Sequence, residues 1–190
     1  MRSAIRRIGA PVICSLLLFL VGAAAARADQ TDQRLDGLFA QLKETQDPAV
    51  GTQLTEQIWE IWLEPKDQGA RNLLAKGVAA MNDDDFDVAL DDFNRLVEAA
   101  PDFAEGWNRR ATLLYLMGEY DASVRDIERT LQLEPRHFSA LAGLGLIYLQ
   151  RGDDQSALKA FKRALEINPH LRGTRENADD IEKRLKDRGI

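Results

Sequence analysis

One feature constrains this chain more than any other: a set of residue types returns every thirty-four positions. The stretch from Phe138 to Leu171 carries the set most completely, as Leu144-Gly145, Tyr148, Gly152, Ala157, Phe161, Ala164 and Pro169. One period earlier the set recurs around Trp107, Ala111, Gly118, Ser123, Ile127 and Pro135. One period before that it recurs around Gly77, Ala89, Phe93 and Pro101. Three of the six prolines fall on this spacing. Within each period, apolar residues recur at helical intervals in two runs separated by a turn. Hairpins of helices repeated in this way each leave an apolar face that only the next hairpin can cover. The sequence therefore predicts an all-α stack whose stability is shared between neighbours.

The turn chemistry fits. Gly118 separates a helix over about Ala104 to Met117 from one over about Tyr120 to Leu133. Gly152 separates Ser139–Arg151 from Asp154–Ile167, and in both units a left-handed residue is expected to end the first helix. The first unit has no such glycine and offers Asn82 and Asp83 to Asp85, which tolerate the same turn. Pro101, Pro135 and Pro169 stop each second helix. Gly77, Ala111 and Gly145, with Ala89, Ser123 and Ala157, are small enough to let the paired helices approach closely. Phe93, Ile127 and Phe161 are expected to fill the space toward the neighbouring unit.

These residues resemble the tetratricopeptide repeat, W-x2-LG-x2-Y followed by A-x3-F-x2-A-x4-P. The third unit matches best, with Leu141 in place of the aromatic; the second departs at Arg110 and Thr130, and the first has Lys76 where leucine is usual. The resemblance covers Ala70 to Leu171 and implies a right-handed superhelical stack of helix-turn-helix hairpins, with units at 70–103, 104–137 and 138–171.

Two flanking segments complete the helical content. In 29–69, Leu35, Leu38, Phe39 and Leu42 predict a short helix, Asp47-Pro48 breaks it, and Leu54, Ile58, Ile61 and Trp62 line a second. This degenerate hairpin is expected to cap the array by packing on the first repeat. Trp59 and Trp62 are read as a packing seal, with an exposed anchor for a partner as the alternative. In 172–190, Ala178, Ile181 and Leu185 make one apolar stripe on an otherwise charged helix, expected to cap the third unit.

Residues 1–28 read as a secretory signal peptide. Arg2, Arg6 and Arg7 precede an apolar run from Val12 to Ala26, and Ala26-Arg27-Ala28 offers a cleavage site before Asp29. Retention as a membrane anchor is the alternative, since Ile8 to Ala26 is uncharged. The single cysteine, Cys14, lies inside the run. A mature chain without cysteine has no disulfide or thiol chemistry, and a bacterial periplasm is the expected location. Four of the 25 basic residues and none of the 31 acidic ones lie in those 28 residues, so the remainder carries −10. Such a balance disfavours nucleic acid as a partner.

Nothing in the sequence marks catalysis. His137 and His170, the two histidines, read as surface turn residues, and no acid completes a metal site around them. The acidic run Asn82 to Asp87 lacks the glycine and distal glutamate of a calcium loop, and reads as a hydrated turn whose acids favour the following helix. No cofactor or metal is expected. The family resemblance instead implies a protein or peptide segment held on the concave wall. Mapped onto this chain, that wall is Leu74, Val78 and Met81 in the first unit, Asn108, Arg109, Thr112 and Tyr115 in the second, and Ala142, Leu146 and Leu149 in the third. Asn108 and Arg109 are the residues expected to fix a backbone or carboxylate. The positions that would form the family's carboxylate clamp hold Leu74, Val78, Arg109, Ser139 and Gly143, with one basic residue among them, so a chaperone-tail ligand is disfavoured. The expected function is a non-enzymatic periplasmic adaptor. The alternative is a structural, self-associating envelope subunit.

Overall fold

The structure is a computed structural model, and it describes residues 31–65 and 67–189. The leader expected over 1–28 lies outside them. Among the described residues the secondary structure is helical throughout: α1 Arg34–Glu44, α2 Pro48–Trp62, α3 Gln68–Asn82, α4 Phe86–Ala99, α5 Ala104–Leu116, α6 Tyr120–Leu133, α7 Phe138–Gln150, α8 Asp154–Ile167 and α9 Arg172–Asp187. None of these helices is long and apolar enough to cross a membrane.

The starts and stops follow local chemistry. Asp47, Asp67, Asp85 and Asp153 each accept a backbone N–H in the first turn of the helix they precede, satisfying donors that have no partner within the helix. The turn inside each repeat passes through a left-handed residue: Asp84 at φ 59°, Gly118 at 80° and Gly152 at 72°. Asp84 thus does in the first unit what glycine does in the other two. The acidic run around it supplies this turn and, through Asp85, the cap of α4.

The antiparallel pairs α3–α4, α5–α6 and α7–α8 stack in sequence. Their interior is set by a size rule. A Cβ placed on Gly77 would lie 2.6 Å from Phe93, and one on Gly145 would lie 2.4 Å from Phe161. The two phenylalanine rings therefore lie against the glycines of their own hairpins, rather than filling only the space toward the next unit. The second hairpin reaches the same spacing with Ala111 and the smaller Ile127, and the Ser123 hydroxyl donates to the Ala111 carbonyl at 2.7 Å.

The departure from the repeat pattern at Arg110 has a structural reason. Its guanidinium grips Asp126 with two bonds of 2.7 and 2.8 Å, reaches Asn94 of the preceding unit at 2.9 Å, and lies over the Trp107 ring. A satisfied fork stands where the apolar residues Leu144 and Ala160 stand one period later. Lys76 and Asp92 hold these positions in the first unit, so the face that a preceding hairpin would cover is polar there.

That polarity bears on the N-terminal hairpin, which does not cap the first repeat as expected. It lies across the junction of the second and third. Leu35, Phe39, Leu42, Leu54, Ile58, Ile61 and Trp62 share a core with Phe138, and Ile167 and Leu171 pack beside it. Asp36 accepts from Arg136 at 2.7 Å, Thr55 accepts from Asn168 at 3.0 Å, and Gly51 leaves room for the His170 ring. At the other end α9 covers the third unit through Ala178 and Ile181, held by Arg184 and Arg188 on Asp154 at 2.8 and 3.1 Å.

Candidate functional site

The helix that opens each repeat builds one wall of the stack. Between α5 and α7 that wall opens into a cavity of about 200 Å³. Its sides are Asn108, Ala111, Thr112 and Tyr115 from α5 and Ser139, Ala140, Ala142, Gly143 and Leu146 from α7, with Ser123 and Ile127 of α6 at its back. The lining is mostly apolar and bears no charged side chain. The space is smaller than the roughly 300 Å³ at which small-molecule pockets begin, and suits one or two inserted side chains. A wider hollow of about 550 Å³ opens between α1 and α2, but Arg34, Gln41, Gln57, Glu60 and Glu64 give it a polar rim.

The ten residues assigned to the wall from sequence do not form one surface. Asn108, Thr112, Tyr115, Ala142 and Leu146 come together around the cavity. Leu74 is buried in the core of the first unit, with Val78 and Met81 packed against that core. Leu149 packs with Phe161, Ala178 and Ile181 near α9. In a stack whose last unit carries a capping helix and whose first, among the described residues, has none in front, the same repeat position meets different neighbours.

Asn108 and Arg109 are not the free ligand-binding pair expected. Glu105, one helical turn earlier and 1% exposed, takes both: Asn108 donates at 2.8 Å and Arg109 at 2.5 Å. The Arg109 guanidinium also lies 5.7 Å from the Trp59 ring. The third partner of Glu105 is His137, whose Nε2 donates to it at 3.1 Å. The proton is on Nε2 because Nδ1 accepts the Ala140 N–H at the start of α7. His137 is fully buried and stacked on Trp62, which corrects its reading as a surface turn residue. His170 is half-buried against Gly51. The spacing of Glu105 from Asn108 and Arg109 was readable as helix neighbours. Its contact with His137 was not. Among the described residues no group of histidine, cysteine and acidic side chains is arranged to hold a metal ion.

Stacked helical hairpins around a shared wall with an apolar notch define a helical-repeat protein. A family model described as the tetratricopeptide repeat matches residues 74–124 and 110–171. A TPR repeat-containing protein of Rhizobium etli is 42% identical over 156 residues, which is 80% of this chain and 75% of that one. The chain belongs to the tetratricopeptide repeat family. The small glutamine-rich tetratricopeptide repeat-containing protein 2 of Saccharomyces cerevisiae is 29% identical over 52% of the chain, which spans 28% of that protein. Among solved structures, the Sgt2 TPR domain of Aspergillus fumigatus superposes with a TM-score of 0.61 at 19% identity, covering 65% of this chain and 83% of that one. The first TPR of Spaghetti (RPAP3), bound to the HSP90 peptide SRMEEVD, superposes at 0.60 with 20% identity, covering 63% and 94%. These likenesses confirm the all-α stack of repeat hairpins.

Proposed function

We propose that the protein is a non-enzymatic adaptor that docks a segment of another protein on the wall formed by α5 and α7. The observation that carries this reading is the apolar, side-chain-sized cavity between Tyr115 and Leu146, whose lining bears no charged side chain. The hollows at the α4–α5–α6 and α8–α9 seams, by contrast, are lined in part by Arg110, Arg125 and Asp126 and by Lys162, Glu182 and Lys186. Exposed apolar recesses of this kind usually serve interaction. A related fold holding a short peptide supports the same use. The trailing tryptophans do not favour self-association: Trp62 is 2% exposed and both rings pack on His137 and Phe138 within the chain.

We place the adaptor in the periplasm on the strength of the residues 1–28 alone. Sequencing the N-terminus of the exported protein tests this, with Asp29 as the expected first residue. For the site itself, crosslinking and pull-down from the envelope fraction should recover a partner. Tyr115→Ala combined with Leu146→Glu should abolish that capture while helicity and melting stay near normal. Unchanged capture would reject the wall as the docking site.

A further inference from the structure

We propose that the docked segment presents a large apolar side chain to the cavity and lysine or arginine residues beside it, and is not an acidic tail gripped by its terminal carboxylate. This rests on the adaptor reading above and names the chemistry of its partner.

Recognition of an anion needs an uncommitted cation facing the ligand. Arg109, which holds that position in the wall, is bonded to the buried Glu105 and lies over Trp59. The Asn108 amide is spent on the same carboxylate. Freeing either donor would leave Glu105 charged and buried with fewer partners, which is strongly unfavourable. The cavity beyond them offers Ala111, Ala142, Leu146 and the Tyr115 ring.

The charge is on the rim instead, and it is negative. The wall runs past Leu116, which is 51% exposed, into the turns that close each hairpin. At the first turn Asp83 and Asp84 are followed by Asp87 in α4, and at the second Glu119 is followed by Asp121 in α6. The third turn brings Arg151, which pairs with Asp121, and Asp153, so the acids along these turns outnumber the one arginine. A segment whose apolar side chain enters between α5 and α7 and whose chain continues toward that edge passes an acidic border. Cations flanking the anchor meet complementary charge there, and carboxylates meet repulsion.

The test is fluorescence-anisotropy titration of the chain from Asp29 to Ile190 with three short probes. One is capped at both ends, with a central leucine flanked by lysines. The second has glutamates in place of the lysines. The third is the glutamate peptide with a free C-terminal carboxylate. The lysine probe should bind at least about tenfold tighter than either acidic one, and the preference should shrink in high salt. Glu119→Gln with Asp121→Asn should reduce the preference several-fold, and Ala142→Trp, which fills the cavity from a half-exposed position, should remove binding while the circular dichroism spectrum is retained. Equal or reversed preference, still abolished by Ala142→Trp, overturns the charge assignment and leaves the adaptor reading standing. Absence of any binding sensitive to Ala142→Trp overturns both.

Discussion

The Trp62 indole lies flat on the His137 imidazole, with ring centroids 4.2 Å apart and planes 6° from parallel. The two residues belong to different parts of the architecture: Trp62 ends the N-terminal hairpin, and His137 closes the second repeat and caps the first helix of the third. Beyond the stack, His137 donates to Glu105, which in turn fixes Asn108 and Arg109 on the binding wall. The hairpin is therefore connected to the wall through this chain of contacts and, directly, through the Trp59 ring beside Arg109.

Trp62→Ala should detach the hairpin without unfolding the repeats. It removes a fully buried aromatic side chain, a change that costs about 3–5 kcal/mol. In hydrogen exchange, amides of α1 and α2 should lose protection while those of α5 to α8 keep most of theirs. Trp62→Phe should be much milder. It keeps a ring on His137, and it removes an indole N–H that finds no acceptor among the described residues. Equal loss of protection across all helices would show that the hairpin and the repeats unfold as one unit.

Glu105→Ala should destabilise the chain by about 3–5 kcal/mol in urea unfolding, because it strands the Arg109 charge and leaves His137 and Asn108 without their acceptor. Glu105→Gln should cost less, since the amide oxygen still accepts one of these bonds. A result in which the alanine variant is as stable as the parent would mean that the network is solvated and holds nothing in place.

The size rule inside the hairpins gives a third expectation. Gly145→Ala places a methyl group 2.4 Å from the Phe161 ring. Overpacking of this kind costs about 1–3 kcal/mol, against a gain of about 1 kcal/mol in helix propensity. The net effect should be destabilising. Combining it with Phe161→Ile should recover much of the loss, because Ala111 with Ile127 already uses that combination in the second repeat. A melting temperature for Gly145→Ala at or above the parent's would contradict the packing described.

The capping helix should respond to acid. The hydrogen bond from Arg184 holds the Asp154 carboxyl below the usual carboxylate range. A depressed folded value means that the ion pair stabilises the chain above the unfolded value of about 3.9, and that this contribution disappears as pH falls through the folded value. Melting followed downward from pH 5 should show a loss of stability that is smaller in Arg184→Ala, with Asp154→Asn behaving likewise. An acid limb unchanged by both substitutions would assign the loss to other carboxylates.

Much of the architecture was legible before any coordinates. Each repeat carries its own instructions in contacts between near neighbours. Glycine or aspartate makes the turn at 118, 152 and 84, aspartates cap helices, and proline ends them. A small residue faces a large one sixteen positions later, as in Gly77–Phe93 and Gly145–Phe161. Repetition makes such local rules visible, because each unit confirms the others. The site was half legible for the same reason. Asn108, Thr112, Tyr115, Ala142 and Leu146 were placed by their register in the repeat. Leu74, Val78, Met81 and Leu149 share that register, but different neighbours fill the space around them.

The period and the hairpins follow from the sequence alone, because they depend on residues close together in the chain and repeated along it. Tertiary structure alone decided where the N-terminal hairpin rests and what Arg109 is free to do. Asp36 reaches Arg136 and Thr55 reaches Asn168 across some hundred residues, with no periodicity to announce the contact. Whether an arginine on a binding wall is available depends on burial and on competing partners. Glu105, buried beside His137, claims Arg109 because a buried carboxylate is stable only when its charge is matched.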